Sequence, residues 1–141
     1  MNHQDDVIAW ANEQATFLQA GEFDRLDIEN LYEELLDMGA SYHLELEHRA
    51  AILIAHLLKW QVQPERRGNS WLRTIKEQRK RIVRRLKKTP SLKHDIDDPE
   101  WLEGVYFDGA EMARKETGLD NFPEVCPWTF EQLIDEQFFP D

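Results

Sequence analysis

The chain has 141 residues, 41% hydrophobic and 32% charged, which makes it a globular domain rather than a disordered one, and its six glycines and six prolines favour helix. A single cysteine, Cys126, excludes a disulfide framework and a multi-cysteine zinc site. The net charge of −11 conceals a division: from Arg66 to Lys93 twelve Lys or Arg face one acid, Glu77, while the rest holds five basic residues against 27 acids.

The opening residues, Met1-Asn2-His3-Gln4-Asp5-Asp6, carry neither a positive leader nor an apolar signal core. The longest apolar run, Ala50 to Leu58, includes His56 and falls well short of the ~20 residues that span a bilayer. The expectation is a cytoplasmic protein with no membrane partner, folded as a single domain over residues 1–141.

In chain order, the first helix is predicted from about Asp6 to Ala20, with Ile8, Ala11, Ala15 and Leu18 at 3–4 spacing and Gly21 as its stop. Asp27 is the N-cap of a second helix with the stripe Ile28, Leu31, Leu35 and Met38, closed by Gly39. A third runs from about Ser41 to Gln63. Its second half is apolar on nearly every side and therefore belongs at the centre of the fold. Ser70 caps a fourth helix, residues 71–88, with Trp71, Ile75, Ile82 and Leu86 inward and Pro90 at its end. Residues 91–97 read as loop or a short helical turn. Asp98-Pro99 opens a fifth helix to about Glu116, burying Leu102, Val105, Tyr106, Met112 and Ala113, with Gly118 beyond it. The capping box Thr129-x-x-Gln132 starts a short last helix near Phe130 to Glu136. No stretch alternates like a strand. The fold class is all-α, a compact bundle of four to five helices with a short C-terminal helix.

Polar residues interrupt this pattern. Asp27, Asn30 and Glu34 share one edge of the second helix, beside its apolar stripe. His56 lies inside the apolar run of the third, followed on its stripe by Lys59 and Gln63. On the fourth, Gln78 or Arg79 occupies an inward position. Buried polar groups cost free energy unless they are bonded, so these groups are expected to meet: His56 with Glu34 or Asp27, and Gln78 or Arg79 nearby. Such a layer is either a structural network that fixes helix register or the lining of a ligand pocket.

A metal at that layer is not assigned. A di-iron bundle requires two ExxH motifs, and Glu45-x-x-His48 has no second. His43 and His48 diverge by about 140° around a helix. No cofactor is assigned either. Cys126 has no neighbouring histidine in sequence and reads as a small buried hydrophobe, and no other nucleophile stands out.

The fourth helix carries Arg73, Lys76, Arg79, Lys80, Arg81, Arg84, Arg85, Lys87 and Lys88 around its apolar face. Pairing with acids of the other helices is the preferred reading. Nucleic acid is disfavoured, because no aromatics interleave with the cations and the remainder of the chain would repel phosphates. An acidic partner protein is compatible with the same face. The aromatic tail, Phe122, Trp128, Phe130, Phe138 and Phe139, is expected to fold back over the bundle.

The runs Leu26-Asp27-Ile28-Glu29-Asn30-Leu31-Tyr32-Glu33-Glu34, His56-Leu57-Leu58-Lys59-Trp60-Gln61, Gln63-Pro64-Glu65-Arg66-Arg67 and Thr74-Ile75-Lys76-Glu77-Gln78-Arg79 resemble a bacterial family, as do Thr89-Pro90-Ser91-Leu92 and Phe122-Pro123-x-x-Cys126-Pro127. It is the uncharacterised, all-helical domain-of-unknown-function family 29. The resemblance implies a helical fold and brings no reaction, cofactor or partner. Its recurring polar positions coincide with Asp27, Asn30, Glu34, His56, Lys59, Trp60 and Gln78.

The functional expectation is a small protein-interaction or regulatory module, with a protein partner or a second copy as its ligand. The alternatives are a ligand- or metal-binding bundle, which includes an enzyme, centred on His56 and Glu34, and a nucleic-acid binder using residues 71–88.

Overall fold

The computed structural model describes all residues, 1–141, as six α-helices and three short 3-10 turns without a strand. The helices are α1 (Val7–Ala20), α2 (Ile28–Val62), α3 (Asn69–Lys88), α4 (Lys93–Asp97), α5 (Pro99–Thr117) and α6 (Phe130–Ile134). No helix is long and apolar enough to cross a membrane.

Several ends follow from single residues. Asp6 caps α1 by accepting from the Ile8 and Ala9 amides, and Gly21 ends it in the left-handed conformation, φ 73°. Asp98 accepts from the Glu100 amide with Pro99 in the first turn of α5, and Gly118 closes that helix at φ 73°. Thr129 and Gln132 form the expected capping box on α6. At α3 the N-cap is Gly68 rather than Ser70, with no side chain bonded to the helix end.

The main correction concerns Gly39. It does not close a helix, and the predicted second and third helices are one continuous element, α2. A glycine ends a helix by taking a positive φ, and only Gly21 and Gly118 do so here. Gly39 is followed by Ala40 and by no proline, so the helix continues through it at a cost of about 1 kcal/mol relative to alanine.

The chain divides into two units, Met1–Tyr42 and His43–Asp141, and the boundary falls within α2. In the second unit the apolar half of α2 is the centre, as its composition requires. Leu46, Leu53, Ile54, Leu57 and Leu58 are wholly buried, as are Ile75 and Ile82 of α3, Val105, Ala110 and Ala113 of α5, and Leu133 of α6. Gly109 marks a close approach between α2 and α5: a β-carbon there would sit 2.8 Å from the Ala51 carbonyl oxygen and 2.7 Å from Ile54 Cγ2. The aromatic tail folds back as expected, with Phe139 against Trp60, Phe130 against Trp101 and Phe138 against Trp128.

The first unit is an antiparallel pair, α1 beside the start of α2, joined through the 3-10 turn Phe23–Arg25. Here the periodic apolar residues are not the buried ones. Trp10, Gln14 and Phe17 are the buried residues of α1, whereas Ile8, Ala11, Ala15 and Leu18 are exposed. On α2, Ile28, Leu35 and Met38 are also exposed.

Candidate functional site

In the first unit, Asp27 gathers the polar groups. Its carboxylate accepts from Trp10 Nε1 at 3.0 Å and from Asn30 Nδ2 at 2.8 Å, while its backbone amide donates to Gln14 Oε1 at 2.7 Å. The hydrogen bonds from Asn30 and Trp10 hold the carboxyl below the usual aspartate value. Glu34 pairs with His3, Nε2 to Oε1 at 2.6 Å, and the His3 ring stands edge-on to Trp10. Asp27, Asn30 and Glu34 therefore do share a cluster, but their partners come from α1 and the residues before it.

His56 belongs to a different set. Its Nδ1–H donates to the Ile52 carbonyl at 2.9 Å, one turn back on the same helix, and burial lowers its pKa. The expected meeting of His56 with Glu34 or Asp27 does not occur. It required a turn at Gly39 to bring the two segments side by side, and α2 is unbroken there. Gln78 accepts from Arg49 at 3.3 Å, not from the histidine. Lys59 forms an ion pair with Glu116 and lies over the Trp71 ring. Trp60 is stacked by the Arg67 guanidinium, whose Nε also donates to the Trp60 carbonyl at 2.7 Å.

These residues form several closed local pairs rather than one converging layer. No group of three His, Cys, Asp or Glu side chains is arranged to hold a metal. Cys126 is half-buried, its thiol donates to the Trp128 carbonyl, and burial pushes its pKa up.

Arg79 is the buried charge that sequence reading left undecided. It is 1% exposed, and its Nε and Nη2 donate at 2.7 Å to the carbonyls of Leu133 and Phe138, with its guanidinium also over Phe139. Arg79 thereby binds the end of α6 and the chain beyond it to α3. Burial lowers its pKa, against the pull of Asp135 and Glu136.

That docking builds a groove of about 1060 Å³ along α3, lined by Arg73, Lys76, Lys80, Arg84 and Lys87, with Val83 and Ile134 among its apolar lining. At 100° per residue the five cations occupy an arc of about 80° and rise about 21 Å along the helix. The expectation that the basic residues of α3 pair with acids of other helices holds for one pair, Arg85 with Glu45. Arg81 pairs with Glu77 within α3, and Arg85 reaches Glu45 of α2. The five cations of the row make no ion pair. Like charges one turn apart oppose each other by a few tenths of a kcal/mol, so the row is a cost to the isolated helix.

A family model described as Domain of unknown function DUF29 matches residues 3–139. The chain belongs to this family. The DUF29 match takes in both units, the Asp27 cluster and the whole cationic groove, and it confirms the resemblance read from the sequence blocks. No curated protein and no solved structure matches the chain.

Proposed function

We propose that this DUF29 protein is a small cytoplasmic interaction module, regulatory in role, that seats an acidic segment of a partner protein in the groove of α3. The observation that carries this reading is the unpaired row Arg73, Lys76, Lys80, Arg84 and Lys87 beside the apolar Val83 and Ile134. A partner segment with carboxylates at helical spacing and interspersed apolar side chains complements both features. Nucleic acid fits less well. No aromatic ring lines the groove to stack a base.

The test uses fluorescent probes on the whole chain: a peptide of alternating Glu and Leu blocks, a single-stranded DNA and a duplex, each at low and moderate salt. The peptide is expected to bind, more weakly as salt rises, and Lys80→Glu with Arg84→Glu is expected to reduce its affinity at least tenfold. Tighter binding of either DNA at matched salt overturns the assignment of the ligand. No binding of any probe at low salt overturns the groove as a site.

A further inference from the structure

The hairpin of the first unit places a mixed set of aromatic and polar side chains between the helices and its periodic apolar stripes outside. Between the helices lie Trp10, Gln14 and Phe17 of α1 and Asp27, Asn30 and Glu34 beside α2, joined by the bonds of the Asp27 cluster. Outside lie Ile8 (71% exposed) and Leu18 (50%) of α1, and Ile28 (65%), Leu35 (63%) and Met38 (56%) of α2. The apolar periodicity of the sequence is real, but it does not describe how the two helices pack on each other.

Helix geometry shows that the two outward stripes share one side. At 100° per residue, the centre of the α1 stripe (Ile8, Ala11, Ala15, Leu18) lies about 115° round from the inward residues in the sense of the right-handed helix. The centre of the α2 stripe (Ile28, Leu31, Leu35, Met38) lies about 85° round from Asp27, Asn30 and Glu34 in the same sense. The helices are antiparallel, with His3 beside Glu34 and Trp10 beside Asp27. Rotations near a right angle and of the same sense about opposed axes, starting from directions that face each other, end on the same side of the pair. The stripes are therefore the two walls of one apolar trough, and Ala11 and Ala15 give it depth along α1. Its large side chains expose on the order of 600 Å², as much as the largest apolar patch of an ordinary monomer.

We infer that this trough is a docking site for a single amphipathic helix of a partner protein, one whose apolar stripe is flanked by Lys and Arg. A helix laid between α1 and α2 completes a three-helix layer and buries both stripes at once, which neither helix does alone. The sign of the partner follows from charge. The unit Met1–Tyr42 holds ten Asp or Glu against the one basic residue Arg25, so its field favours a cationic helix. The same charge opposes a second copy of the hairpin, because face-to-face pairing would bring two strongly acidic surfaces together. This site shares no residue with the cationic groove and does not depend on it.

The decisive experiment titrates the whole chain with synthetic helices of about five turns, long enough to run the length of the hairpin. One carries leucine at i, i+3, i+4 and i+7 flanked by lysine, the second has the same leucines flanked by glutamate, and the third keeps the lysines with the leucines scrambled. The lysine-flanked amphipathic helix is expected to bind at least tenfold more tightly than either control. The pair Leu35→Ser and Met38→Ser, both at exposed positions, is expected to remove that advantage while helix content by circular dichroism stays unchanged. Lys80→Glu with Arg84→Glu is expected to leave it intact. Equal binding of the glutamate-flanked or scrambled helix, no binding of any helix, or indifference to the Leu35 and Met38 substitutions overturns the inference. So does a dimer on sedimentation that the Leu35 and Met38 substitutions dissociate, since the trough would then hold a second copy.

Discussion

Replacing Arg79 by methionine tests how the tail is held. The substitution keeps most of the side-chain volume and removes the guanidinium, which is buried and donates at 2.7 Å to the carbonyls of both Leu133 and Phe138. Hydrogen bonds from a charged donor contribute about 1.5–3 kcal/mol each, and the carbonyl oxygens they leave behind lose their partner. Two such bonds set an expected loss of about 3–5 kcal/mol, provided that the tail stays docked over the space. Release of the tail caps the loss, because the carbonyls then reach water and the buried Leu133 and Trp128 become exposed. Urea unfolding gives the magnitude, and limited proteolysis distinguishes the two routes by whether residues after α5 become cleavable. Arg79→Lys keeps the charge without the planar fork and should fall between the two, at about 2 kcal/mol. If Arg79→Met lies within about 0.5 kcal/mol of the parent chain with an equally resistant tail, the guanidinium is not what holds α6.

Gly109→Ala should destabilise by about 1–3 kcal/mol in the same unfolding assay, because the new methyl meets the fixed Ala51 carbonyl as well as Ile54. An unchanged midpoint would mean that α5 stands off α2 more than the packing shows. His56 is held below its ordinary 6.5 mainly by burial, with Lys59 pulling it down further and Glu116 pulling it up. The unfolded chain therefore takes up a proton first as pH falls, so the stability tied to neutral His56 is fully present above about pH 6.5 and is lost as pH drops towards the folded value. His56→Gln should flatten the fall in melting temperature between about pH 7 and pH 5, and a curve parallel to that of the parent would exclude His56 as its source.

Much of the fold was legible because local chemistry decides it. Gly21, Gly118, Asp98-Pro99 and the Thr129–Gln132 box each specify a helix end through their own backbone or side chain. The nine residues from Ala50 to Leu58 specify a central helix because nothing in them tolerates water well. Gly39 misled because glycine permits a stop without enforcing one, and the residues after it decide. The α1 and α2 stripes are real as stripes, but neither is the face that the two helices turn towards each other. Periodicity shows which residues share a face, but not that Trp10 and Gln14 have polar partners at Asp27 that draw the neighbouring face inward.

The candidate site was less legible for the same reason. The expected meeting of His56 with Glu34 or Asp27 needs a turn that does not form, and the histidine's partner is its own helix backbone. The bonds of Arg79 to carbonyls more than fifty residues away depend on where the tail lies, which no spacing in α3 reveals. The cationic row was visible as a composition. That its charges face an open groove instead of neighbouring acids depends on the placement of α6.

The continuity of α2 has a further consequence. From Leu35 to Ser41 every residue of that helix is exposed, so for about two turns no side chain is buried and the helix rests chiefly on its backbone bonds. Helices of that length are marginal by themselves in water, and Gly39 weakens this one further. Amide hydrogens there should exchange with solvent sooner than those between Ala50 and Leu58 on the same helix. A partner helix laid against Leu35 and Met38 would slow that exchange, which makes the segment a built-in reporter of whether the trough is filled.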